Sequence, residues 1–158
     1  MFHAKSIESI ATALLQKQET IAVAESVTSG FLQAALSSAD NAIQFFQGGI
    51  TAYNLEQKTR HLNIDPIHAI ACNCVSQKMA IDMAISVGSN YSSHWAIAVT
   101  GYATPVPESE GKIYAYYAIV YEGKVMEAAK IACEQKAPEK VQLYYVNYIA
   151  DQLVKLLG

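Results

Sequence analysis

The chain is short of charge, has no long apolar run and carries few cysteines, and each shortage excludes something. Asp, Glu, Lys and Arg together make up 16% of its 158 residues, and the net charge is −3. Lysine and arginine never cluster along the sequence, so the basic face that displaces counterions from a nucleic acid is missing and no such partner is expected. No apolar stretch reaches the roughly 18 residues of a membrane span, so no membrane partner is expected either. The opening MFHAKSIESIATALLQKQ lacks the basic start and small-residue cleavage site of a signal peptide, which points to the cytoplasm. Three cysteines, Cys72, Cys74 and Cys133, are an odd number in a chain without an export signal and imply reduced thiols. Cys72-x-Cys74 beside His68 could begin a metal site, but no second pair completes it; small apolar side chains in a connector are the plainer reading. None of His3, His61, His68 and His94 stands at a metal-ligand spacing, and no metal is expected. GxGxxG, GxxxxGK[ST] and HExxH do not occur, so nothing supports a dinucleotide cofactor, P-loop chemistry or a zinc protease. No cofactor is expected.

Apolar residues, by contrast, make up 52%. The length suits one domain, residues 1–158, able to bury roughly 68–70% of its unfolded surface. So apolar a composition requires a sheet buried on both faces, or apolar surface covered by another subunit. Ile7, Ile10, Ala11, Leu14 and Leu15 recur at helical spacing. Thr20–Ala24 reads as a buried strand and Phe31–Leu36 as a helix. Phe45–Tyr53 reads as a second strand in which Gly48-Gly49 marks a bend or close approach. Helices are predicted over 54–62 and 76–87, and Trp95–Thr100 as a continuous apolar, central strand. Pro105 and Pro107 make 102–110 a loop. Lys112–Tyr121 and Lys124–Ile131 flank Glu122-Gly123 as a hairpin, and Pro138 opens a last helix running to about Leu157. Tyr144, Tyr145 and Tyr148 at i, i+1, i+4 suggest packing against the sheet or a subunit. This order predicts an α/β three-layer sandwich, a mainly parallel mixed sheet with helices on both faces.

Three strand-to-loop transitions fall on the carboxyl edge of that sheet, where open α/β folds bind ligands. Ala24–Gly30 is hydroxyl-rich and opens a helix, whose unpaired N–H groups can hold an anion or oxyanion; alternatively Thr28 or Ser29 merely caps the helix. At Ala52-Tyr53-Asn54, the spacing Asn54-x-x-Gln57 resembles a capping box. That makes Tyr53 N′ and Lys58 N4, two positions whose side chains meet in a hydrophobic staple. A lysine in the first turns faces the unfavourable end of the helix dipole, which disfavours its charge. A neutral lysine near a hydroxyl is what a Ser–Lys nucleophile pair needs, whereas the plainer alternative is a solvated lysine covering a tyrosine ring. The third transition, Thr100-Gly101, allows close backbone approach to a ligand, with Tyr102 available to stack.

Taken together and in order, these segments resemble the CinA C-terminal domain family. That family's first turn is close to A-E-S-C-T-G-G, and the chain has Ala24-Glu25-Ser26-Val27-Thr28-Ser29-Gly30. Its second signature, close to F-x-G-G-x-V-x-Y-S-N-x-x-K-x-x-x-L-G-V, is similar to Phe46–Lys58 followed by Leu62-Asn63-Ile64. A family Val-Ser is matched by Val75-Ser76, and A-V-T-G-I-A-G-P by Ala98–Pro105. The resemblance implies deamidation of nicotinamide mononucleotide to nicotinic acid mononucleotide and ammonia. Ser26 would be the nucleophile, Lys58 its base and Tyr53 an assisting hydroxyl. Glu25, Thr28, Ser29, Gly30, Gly48, Gly49, Asn54, Thr100 and Gly101 would bind the substrate, with backbone N–H groups near Thr28–Gly30 holding the oxyanion. It also implies a homo-oligomer. Two departures stand out. Val27 and Ser29 replace the family's Cys and first Gly, and Thr104 replaces a Gly before the stiff, acidic Val106–Glu110. Two carboxylates near a phosphate site would repel the substrate, so a non-catalytic nucleotide-binding or interaction module, or a hydrolase for another amide, are the alternative readings.

Overall fold

The computed structural model describes residues 1–158. In chain order the elements are α1 (Ala4–Lys17), β1 (Ile21–Glu25), α2 (Phe31–Ser37), β2 (Phe46–Thr51), α3 (Leu55–Leu62), α4 (Pro66–Ala71), α5 (Gln77–Asn90), β3 (Trp95–Gly101), β4 (Tyr114–Tyr121), β5 (Lys124–Ala132) and α6 (Pro138–Leu157). Short 3-10 turns occur at Ala42–Gln44 and Pro107–Ser109. The strands form one sheet in the order β2-β1-β3-β4-β5. β1 runs parallel to both β2 and β3, while β3–β4 and β4–β5 are antiparallel. Four strands therefore share a direction and β4 alone is reversed. This is the mixed sheet the element order predicts, with the hairpin supplying its antiparallel part.

Helices α1, α2 and α6 cover one face, and α3, α4 and α5 the other. Burial on both faces accounts for the apolar composition: every residue of β1 is buried, and in β3 only Gly101 is not. The two faces differ in side-chain size, because alternate residues of a strand point to opposite sides. Towards α1, α2 and α6 the sheet presents Ile21, Val23, Trp95, Ile97, Val99, Tyr117 and Ile119. Towards α5 it presents Ala22, Ala24, Ala96, Ala98 and Ala118. The alanine floor lets α5 lie close, and a Cβ at Gly88 of that helix would stand 3.0 Å from the Ala96 Cβ. Helix α4 is absent from the sequence-based expectation. Six residues are too few to show a period, and only Asp65-Pro66 announces it: Asp65 accepts from the Ile67 N–H at 3.0 Å with Pro66 in the first turn. No helix is long and apolar enough to cross a membrane.

Two of the expected ligand-binding glycines have a structural task instead. Gly48 and Gly49 lie in the middle of β2, opposite Ala22 and Val23, away from the strand's carboxyl end. A Cβ on Gly49 would come within 2.6 Å of the Val23 carbonyl oxygen, and Gly48 holds φ at +123°. Gly49 permits the close β1–β2 pairing, Gly48 leaves room for the Tyr91 ring 3.2 Å from where its Cβ would stand, and neither lines the cavity described below.

The turn from β1 into α2 is built around Glu25, which is fully buried. One carboxylate oxygen accepts from the Thr28 hydroxyl at 2.6 Å and from the Leu32 N–H at 2.7 Å, and the other accepts from the Gln33 N–H at 3.0 Å. The N-cap residue itself, Gly30, has no side chain to offer and sits at φ +97°. Glu25, five residues upstream of that cap position, thus takes the place of a capping side chain. Neither Thr28 nor Ser29 caps α2, and neither Glu25 nor the buried Thr28 side chain is free to touch a ligand, contrary to expectation. The exposed Ser29, at φ +50°, keeps its hydroxyl on the Ser26 carbonyl at 3.4 Å. It occupies the left-handed region that the family fills with glycine. Replacing Glu25 by alanine leaves the Leu32 and Gln33 amides without their acceptor. A loss of about 2–3 kcal/mol is expected, read as a lowered denaturation midpoint at unchanged m-value, with Glu25→Gln intermediate because its amide keeps one acceptor oxygen.

Candidate active site

Ser26 is the first residue beyond β1. Its N–H donates to the Val99 carbonyl at 3.2 Å, tying it to β3, and the residue is 7% exposed. The Ser29 amide donates back to the Ser26 carbonyl at 3.1 Å, while the amides of Val27, Thr28 and Gly30 donate to no acceptor in the protein. Of the N–H groups expected for an oxyanion, Ser29's is therefore committed to the turn, and Val27's is added to those free.

Lys58 comes from α3. Asn54 is the N-cap, as its spacing predicts, and its side chain accepts from the Gln57 N–H at 3.0 Å. The reciprocal half of the capping box does not form, because the Gln57 side chain contacts the His61 ring at 3.1 Å. Nor do Tyr53 and Lys58 meet. Tyr53 is 66% exposed, and its hydroxyl makes no hydrogen bond within the protein. Lys58 turns inward and is 1% exposed, with its Nζ 2.9 Å from Ser26 Oγ and 2.9 Å from the Ala52 carbonyl oxygen. The reading of Lys58 as a solvated side chain is overturned. Burial lowers its pKa below the ordinary lysine value, with a nearby Cys74 thiolate acting in the opposite sense. Burial raises the pKa of the Cys74 thiol itself, which keeps it protonated and makes the opposing effect weak.

These groups face a cavity of about 490 Å³ above the carboxyl ends of β1 and β3, within the range of small-molecule sites. Tyr53 and Asn54 stand on its α3 side and Asn73 and Cys74 on its α5 side, with Tyr102 and Gln142 closing it. Thr100 is buried and spends its hydroxyl on the Cys74 carbonyl at 2.7 Å. It holds the α4–α5 connector in place and has no donor left for a ligand. Gly101 lines the cavity and packs on β4, where a Cβ would fall 2.5 Å from the Tyr114 carbonyl oxygen. Asn73 and Cys74 take φ of +51° and +61° in succession, and the Asn73 side chain donates to the Tyr102 hydroxyl at 3.2 Å. From α6, the Gln142 amide donates to the Val27 carbonyl at 2.9 Å and the buried Tyr145 hydroxyl to the Tyr102 carbonyl at 2.8 Å. The packing expected of the C-terminal tyrosines is what Tyr145 does.

The structure therefore brings Ser26, Lys58, Tyr53, Asn54, Thr100 and Gly101 to one cavity, and leaves Glu25, Thr28, Ser29, Gly30, Gly48 and Gly49 outside it. Asn73 and Gln142 were missed. An asparagine between two helices is a weak left-handed signal, and Gln142 carries none, since it sits within an ordinary amphipathic helix. Glu108 and Glu110 are exposed and do not line the cavity, so the feared repulsion does not arise within it. No cluster of three or more His, Cys, Asp or Glu side chains capable of holding a metal ion is present. In the other clefts, of about 630 and 600 Å³, no serine, threonine or cysteine side chain is hydrogen-bonded to a lysine or carboxylate.

Known proteins resemble the chain in sequence and in fold. The chain is 39% identical to a CinA-like protein of Synechocystis sp. over 108 residues, 68% of this chain and 26% of that protein. It is 29% identical to a CinA-like protein of Prochlorococcus marinus (strain MIT 9515) over 147 residues, 91% of this chain and 34% of that protein. It thus spans about a quarter to a third of these relatives' length. The fold matches the crystal structure of a competence or damage-inducible protein from Enterobacter asburiae with a TM-score of 0.93 at 23% identity, over 100% of this chain and 99% of that one. It also matches a competence-damaged protein (CinA) superfamily protein from Enterobacter cloacae with a TM-score of 0.92 at 25% identity, over 100% and 94%. The family model of the CinA C-terminal domain matches residues 3–157, and the chain belongs to that family.

Proposed function

We propose that this chain is an amidohydrolase that converts nicotinamide mononucleotide to nicotinic acid mononucleotide and ammonia through an acyl-enzyme on Ser26. The observation that carries the reading is the 2.9 Å separation of Lys58 Nζ and Ser26 Oγ in a buried setting that favours the neutral amine. A neutral amine donates one N–H to the Ala52 carbonyl and turns its lone pair to the Ser26 hydroxyl. Ser26 Oγ bonds to the carboxamide carbon as its proton passes to Lys58 Nζ. The free amide of Val27, the one of these that lines the cavity, is the available donor for the resulting oxyanion. Lys58 then returns the proton to the departing nitrogen, the C–N bond breaks, and ammonia leaves. Water adds to the acyl carbon and gives a proton to Lys58. Collapse of that adduct returns the proton to Ser26 and releases the acid. Tyr53, at the open rim, serves as a contact for substrate.

Ammonia release from nicotinamide mononucleotide is the direct test. Ser26→Ala and Lys58→Ala are each expected to lower kcat by about a thousandfold or more while the fold, followed by circular dichroism, persists. An undiminished rate in Ser26→Ala would remove it as the nucleophile. Binding of the mononucleotide without turnover in the wild type would make the chain a non-catalytic module, and turnover of a different carboxamide alone would change the substrate.

The pH profile supplies a second check. The base must be neutral, so kcat/KM should climb as pH rises through the lowered Lys58 pKa and level off below the ordinary lysine value near 10.4. A rate that keeps climbing to that value would mean that the lysine is unperturbed and that another group is the base.

A further inference from the structure

The reaction cavity has only one cationic side chain, Lys58, and that amine is buried and engaged with Ser26 and Ala52. The other lining residues are neutral, with neither an arginine nor a carboxylate among them. A phosphate placed wholly inside would lose water and gain no charged partner, which is costly. Nearby, on the same edge of the sheet, lies a cleft of about 630 Å³. It is lined by Lys112, Lys130 and Lys136 against a single acid, Glu134, in a chain whose net charge is −3. Lys112 has Glu110 at 4.0 Å, whereas Lys130 and Lys136 form no ion pair. The Lys130 ammonium stands 4.1 Å from the centre of the Tyr114 ring, which holds the charge over the cleft floor without neutralising it.

Two features set the cleft directly beside the cavity. Thr104 and Val106 line the cavity, while Pro105 between them lines the cleft, so one short wall separates the two. The rings of Tyr102, on the cavity side, and Tyr114, on the cleft side, meet edge-on at 5.3 Å. The sheet sets the separation. Ser26 follows the end of β1, Gly101 ends β3 opposite Ala115, and β4 begins at Tyr114 opposite Ala132 near the end of β5. From β1 to β4 and β5 is two to three strand spacings, roughly 10–14 Å. That is the span of a nucleoside monophosphate and more than a simple carboxamide covers. We infer that the cleft around Lys130 and Lys136 is an anion subsite of the reaction cavity, holding the phosphate of a carboxamide nucleotide whose amide lies at Ser26. This assignment rests on the amidohydrolase reading for the identity of the amide, and on the lysine cleft alone for the anion.

The test pairs turnover with a binding measurement that needs none. In Lys130→Gln/Lys136→Gln, KM for nicotinamide mononucleotide should rise about tenfold or more, as expected for lost charge-assisted contacts. kcat should stay within about twofold, and KM for the unphosphorylated nucleoside should not move. Lys124→Gln, at the far end of β5, is the control. Inorganic phosphate titrated into the wild type, followed by calorimetry and by the Tyr114 ring resonances, should bind saturably, and the double variant should lose that binding. Unchanged KM in the double variant, or equal or undetectable phosphate binding in the two proteins, would overturn the subsite. If the wild type releases no ammonia, the amidohydrolase reading fails by itself and the phosphate titration still decides the cleft.

Discussion

A primary amine removed from water and set against a serine hydroxyl is the constraint around which this fold is arranged. Burying Lys58 costs free energy when it is charged, so the surroundings favour the neutral form, and only that form can accept a proton from Ser26. The same burial requires its N–H groups to find partners, and the Ala52 carbonyl just beyond β2 accepts from one of them. Helix α3 must therefore begin where it does. Asn54 fixes its first turn, and Lys58 then projects back across the strand end to β1. Moving the helix start by one residue would turn the amine about 100° away, to solvent.

The serine is fixed as firmly by a different device. Ser26 leaves the sheet at a point where its own N–H still belongs to β3, and the chain then has to turn at once into α2. Glu25 holds that turn from beneath with a carboxylate that gives a short helix its missing cap. Ser26 thus sits between a buried carboxyl group that acts on backbone and a buried amine that faces its hydroxyl. Because Glu25 is satisfied by three donors of its own turn, it does not compete for Lys58. The alanine floor beneath α5 contributes at longer range. It draws α5 close to the sheet and so brings the Asn73–Cys74 turn over the carboxyl end of β3, where the Thr100 hydroxyl pins it.

Strand and helix positions were legible because their patterns are long: the continuous apolar runs of β1 and β3, the helical spacing in α1, and the capping residues before α3. Ser26 and Lys58 were legible as a pair only through the family resemblance, since residues 32 apart in sequence have no local signature. Errors arose where one residue type serves two purposes. Glu25, Thr28 and the Gly48-Gly49 pair stand among reacting residues in the motif, yet they build the turn and the strand pairing, and motif position does not separate the two. The staple spacing predicted that Tyr53 and Lys58 would meet, but Lys58 had a stronger demand elsewhere; the role of Tyr53 as an assisting hydroxyl came from the resemblance alone. Asn73, from the α4–α5 connector, and Gln142, from α6, reach the cavity from segments distant in sequence, and only the topology brings them there.

Charge is distributed across this sheet edge in a way that follows from the chemistry. A lysine that must be neutral to act as a base is best kept away from anions, because a nearby negative charge would raise its pKa and protonate it. A phosphate bound inside the cavity would do that to Lys58. One bound beyond the 104–106 wall, and partly neutralised by lysines of its own, would do so far less, since the interaction falls with distance and with screening. With Lys58 as the base, the neutral lining of the cavity and the cations of the neighbouring cleft would answer the same requirement. An enzyme that uses an amine as its base on an anionic substrate has to hold the anion with a different amine.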